Sequence, residues 1–167
     1  MIVVGRGEPP QWVPVPADRV ERARARLALT GLPVAGAALV LGIVLVAVGL
    51  NLPTARSPLN VIGVMTAGIA AFCAMLSGVS VLSARSCVRD GYVDVNGSRL
   101  VRRLLGVWWG AAIFCVLGAW FAEVMTLRGD VPFGAGSAVY LALLALVLVL
   151  GGVAFFAAGN ILGRLRV

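Results

Sequence analysis

Four stretches of this chain, 27–50, 59–84, 104–127 and 137–163, each run for 24 residues or more, and Glu123 is the single charged residue among them. As a helix, even the shortest covers about 36 Å at 1.5 Å per residue, more than a bilayer hydrocarbon core of about 30 Å. The whole chain is 60% hydrophobic and 13% charged, where soluble domains run at about 45–50% and about 25%. A protein of 167 residues has too little interior to hide that much apolar surface from water. The expected fold is therefore an all-α membrane protein with four transmembrane helices in an up-down bundle joined by short turns.

The arginines orient it. All fourteen basic residues are arginine, and the abundance of Ala, Val, Leu and Gly beside them points to a GC-rich bacterial genome. Arg6, Arg19, Arg22, Arg24, Arg26, Arg85, Arg89, Arg99, Arg102, Arg103, Arg164 and Arg166 fall on one side of the alternating spans, and only Arg56 and Arg128 on the other. Positive residues in short loops stay cytoplasmic, so both termini and the basic loop 85–103 are expected inside, in an N-in/C-in protein of the bacterial cytoplasmic membrane. The charge then faces anionic lipid headgroups, with Arg19, Arg22 and Arg26 on one helical face and Arg102 and Arg103 before span three as the headgroup residues. Nucleic acid is not an expected partner.

Between the spans the signals are local. Residues 1–17 hold Pro9, Pro10, Pro14 and Pro16 around Trp12, a density that blocks helix and predicts a mobile cytoplasmic tail with Trp12 at the lipid interface. Asp18 with Glu21 three residues on resembles a capping box, which starts a basic juxtamembrane helix over 18–26, and Gly31 with Pro33 predicts a bend. In the 85–103 loop, Asn96-Gly97 between Tyr92-Val93 and Leu100-Val101 is a hairpin signal, so either a short ordered turn or a plain loop is expected. Trp108, Trp109 and Trp120 are placed for aromatic belts at the two ends of span three. Residues 164–167 form a cytoplasmic end.

Chemistry is scarce. There is no histidine, which removes the commonest metal ligand and general base, and there is no phosphate loop, nucleophile elbow or metal-ligand cluster. No enzyme activity and no cofactor are expected. Cys73, Cys87 and Cys115 are expected as packing residues. Small residues at Gly63, Ala67, Ala70, Ala74 and Ser77 form a stripe on span two, and Gly106 and Gly110 a GxxxG step on span three, where other helices can approach closely. The leading expectation is a non-enzymatic accessory or scaffolding protein that docks on other membrane helices, its own copies or a partner's, through these stripes. The alternative is a small oligomeric transporter or channel with Glu123 in its path. Glu123 lies four residues from the end of span three, about 6 Å along a helix, so it is expected to reach the outer headgroups or Arg128.

Overall fold

The structure, a computed structural model, describes residues 10–52, 57–127 and 134–165. In chain order it has strand β1 (Trp12–Pro14), helices α1 (Ala17–Leu50) and α2 (Pro58–Ser83), a 3-10 turn (Ala84–Cys87), strands β2 (Val88–Arg89) and β3 (Tyr92–Asp94), and helices α3 (Val95–Leu127) and α4 (Ala135–Arg164). The chain is an all-α bundle of four helices, each long and apolar enough to cross a membrane.

The bundle is turned inside out relative to a protein in water. Leu29, Met65 and Phe114 are 75%, 67% and 79% exposed, whereas Ala38, Ala67, Ala70, Ala74, Ala112 and Ala119 are fully buried. The small interior residues let helix backbones meet. A Cβ added at Gly78 of α2 would lie 2.6 Å from the Ala35 backbone nitrogen of α1, and one added at Gly63 would lie 2.9 Å from Ala122 Cβ of α3. Thus α2 lies against both neighbours through two faces of one small-residue surface. Its stripe of Gly63, Ala67, Ala70, Ala74 and Ser77 is buried within the chain itself. On α3, by contrast, Gly106 is half-buried and Gly110 is exposed with open space over it.

The 85–103 loop is not a plain loop. Together with the N-terminal segment it builds a three-stranded antiparallel sheet in the order β1-β3-β2. Trp12 pairs with Asp94 and Pro14 with Tyr92 on one side of β3, and Arg89 pairs with Tyr92 on the other. Two expectations are corrected here. Residues 12–14 form an edge strand, where a proline's missing donor costs no ladder bond. The hairpin turn is Asp90-Gly91, not Asn96-Gly97: both its residues have positive φ, 42° and 83°, as a two-residue turn between twisted strands requires. Asn96 and Gly97 instead open α3, because the Asp94 carboxylate accepts hydrogen bonds from the backbone N–H groups of Asn96 and Gln11, each at 3.1 Å. That side chain ends the strand, caps the helix and ties down the N-terminal segment at once. Gly97 is closely set, since a Cβ there would stand 2.5 Å from the Asp94 carboxylate and 2.9 Å from Cys87 Sγ.

One further expectation changes. Helix α1 begins at Ala17 with Pro16 as its N-cap, so Asp18 lies inside the first turn and pairs with Arg22 one turn on instead of capping. The juxtamembrane helix and span one are a single helix of 34 residues that continues through Gly31 and Pro33, held by α2, against which Gly31 is closely set. Trp109 packs on α4: it stacks on Phe155 with ring centroids 5.1 Å apart, and a Cβ at Gly151 of α4 would lie 3.0 Å from its ring.

Two apolar clusters form the core. One joins the sheet to the helix ends beside it, through Val15, Val88, Val93, Val20, Val101 and Leu162; the other fills the far end through Leu41, Leu45, Ala70, Val116 and Leu144. Substituting Gly78→Ala is expected to lower stability by about 2–3 kcal/mol, because backbone stands where the new methyl must go. Gly110→Ala should change it by less than about 1 kcal/mol, both measured by thermal unfolding in mild detergent.

Candidate functional site

Four polar side chains of the helices lie at the end opposite the sheet. Asn60 comes from the first turn of α2, Glu123 from the last turns of α3, and Ser137 and Tyr140 from the first turns of α4. Asn60, Glu123 and Tyr140 are fully buried and Ser137 is 4% exposed. This differs from the expected place of Glu123 at the outer headgroups: its side chain is turned to the bundle interior. Arg128, the other expected neighbour, lies outside the described residues.

Glycines bring these groups together. The Tyr140 hydroxyl crosses between helices and donates to the Gly63 carbonyl at 3.2 Å, and the Thr66 hydroxyl donates to the same oxygen at 2.9 Å. A Cβ at Gly63 would stand 3.8 Å from the Asn60 carboxamide oxygen. The Glu123 carboxyl is near enough to Tyr140 for the two to interact electrostatically. From α1, Gly49 closes over the site, since a Cβ there would lie 3.2 Å from the Tyr140 ring and 2.5 Å from Val64. One carboxyl, one carboxamide and two hydroxyls are thus buried at this end of the bundle. Among the described residues no cluster of three His, Cys, Asp or Glu side chains could hold a metal ion.

The arginines sort differently from their spacing. Arg19, Arg22 and Arg26 do share a face of α1, and the last turn of α4 adds Arg164, so that four guanidinium groups line one cleft of about 310 Å³. Arg103 is exposed. Arg102 is no surface headgroup residue: its guanidinium reaches across to α4 and donates to the Gly159 carbonyl. A second cleft, of about 460 Å³, gathers Arg24, Arg85 and Arg89 beside Ser83 and Ser86. The addition of Arg164 to the first cluster, and the whole of the second, are invisible in sequence spacing, because they join residues from separate elements. The polar end was traceable in principle: in an up-down bundle, the start of span two, the end of span three and the start of span four must meet.

Tyr140→Phe is expected to cost about 1 kcal/mol of stability, the worth of one interhelical hydrogen bond whose acceptor keeps another donor. Tyr140→Ala should cost about 3–5 kcal/mol through the cavity it leaves; unfolding of the two variants in detergent compares them. Comparison with protein-family models, with curated proteins and with solved structures finds no match for this chain.

Proposed function

We propose that this chain is a multi-pass protein of the bacterial cytoplasmic membrane, with both ends and the sheet on the cytoplasmic side, and that it works without catalysis as an accessory or scaffolding subunit. The observation that carries this reading is the inverted bundle: polar side chains are sealed inside, so neighbouring molecules meet an apolar flank and an arginine-bearing cap. The flank suits lipid, which removes the penalty that exposed Leu, Phe and Met would incur in water. Orientation follows from the arginines, twelve of fourteen of which fall at the sheet end or in the segments that lead to it. Of the two small-residue stripes, that on α2 is filled by α1 and α3, so contact with another membrane helix falls to the flank of α3 that carries Gly110.

A second reading, a small proton- or cation-coupled transporter, is favoured by one observation: Glu123 lies fully buried at the junction of three helices with Asn60 and Tyr140. An ionisable residue in such a place is costly to keep without a use.

The two separate cleanly. In the accessory reading, Glu123→Gln leaves proton flux in protein-loaded liposomes at the level of empty ones, as for the unaltered chain; a substrate-dependent flux that this substitution abolishes would establish the transporter. Mild-detergent purification is expected to recover a stoichiometric partner or a homo-oligomer, and Gly110→Leu to weaken that association by about tenfold, equivalent to about 1.4 kcal/mol. A lone monodisperse monomer would count against docking. A reporter active only in the periplasm is expected to be silent when fused after Val167.

A further inference from the structure

The cleft at the sheet end of the bundle adds a fourth cation, Arg164 of α4, to the three that spacing already places on one face of α1. Arg19, Arg22 and Arg26 follow one another by three and four residues along α1, Arg164 ends α4, and the floor between them is Ala23, Ile161 and Leu165. Among the described residues, only Arg22 of the four has an ion pair, with Asp18 one turn before it. Glu21 stands two positions from Arg19, about 200° round the helix, and so faces away. Among the described residues, Arg19, Arg26 and Arg164 thus line one cleft without an ion pair of their own. Such an arrangement is self-repelling until an anion enters it.

We propose that this cleft is a specific site for the headgroup of a phospholipid that carries two phosphates. A guanidinium matches phosphate oxygens with paired donors. One singly charged phosphate would leave two of the three groups uncompensated, whereas two phosphates come close to balance. The floor favours a lipid over a soluble anion: Ala23, Ile161 and Leu165 line it, an apolar base against which the start of an acyl chain would rest. The site is independent of whether the chain is an accessory subunit or a transporter.

Native mass spectrometry of the full chain in mild detergent, titrated with diphosphatidylglycerol, tests this. One bound lipid is expected, held about tenfold more tightly than phosphatidylglycerol or phosphatidylcholine. The double substitution Arg26→Gln with Arg164→Gln should lower the affinity about tenfold. Arg99→Gln with Arg103→Gln, the same charge removed from exposed positions outside the cleft, should change it less than about twofold. Asp18→Asn leaves all four arginines in place and frees Arg22, so it should strengthen binding two- to threefold, or about 0.4–0.6 kcal/mol; this arm stands even if the double variant fails to fold. Equal loss in both double variants would reduce the effect to bulk charge. Phosphatidylcholine bound as tightly, or Asp18→Asn without gain, would overturn headgroup recognition, and inorganic diphosphate bound as tightly in lipid-free detergent would assign the cleft to a soluble anion. The protein in detergent has both ends open to lipid, so a wrong membrane orientation, which the reporter fusion detects, cannot imitate any of these outcomes.

Discussion

The bundle depends on how closely α2 approaches its neighbours. At Gly78 the backbone of α1 stands where any side chain would begin, and at Gly63 the same is nearly true of α3. Close approach multiplies dispersion contacts along the whole seam, and it needs no large apolar side chains at the interface. Many Leu, Ile, Phe and Met side chains are thereby released to the outside. The apolar flank is thus a direct product of small residues in the interior, and no larger side chain at Gly78 or Gly63 is compatible with it.

The same economy of space governs the polar residues. With backbones this close, a long side chain between helices must find a gap that glycine leaves. Tyr140 uses the space beside Gly49 and Gly63, and Trp109 lies over Gly151 and Gly152. Arg102 takes the room at Gly163, where a Cβ would stand 3.0 Å from its guanidinium. Each pairing joins a large side chain to a glycine on another helix, which fixes both the rotation of the helices and their register along the axis.

Element type was legible in the sequence because length and apolarity suffice for it: four long apolar runs became four long helices. Register and partnership were not. Glu123 reads as an end-of-span residue from its distance to Leu127, but which way it points depends on helix rotation, and that is set by glycine contacts from α2. The hairpin shows a different limit. Asn96-Gly97 and Asp90-Gly91 carry the same turn chemistry six residues apart, and the choice between them rests on Asp94, whose side chain serves as a helix cap only once Val95 and its successors are helical. The strand at Trp12 was invisible for a related reason: proline-rich segments lack helix signals, and an edge strand needs none beyond a partner, which lies more than seventy positions away in the chain.

That distance has a temporal consequence. Gln11 and Asp94, joined by a hydrogen bond, are separated by 83 positions, so the first strand leaves the ribosome well before the segment it will join. At a synthesis rate of about 5–20 residues per second the gap is about 4–17 s. Throughout that interval, a leading segment with its ladder groups unmet has to be kept from other strands, and the prolines at 9, 10, 14 and 16, which cannot donate to a neighbour's carbonyl, are suited to that wait. Closure of the sheet then becomes a late event that certifies a finished first hairpin.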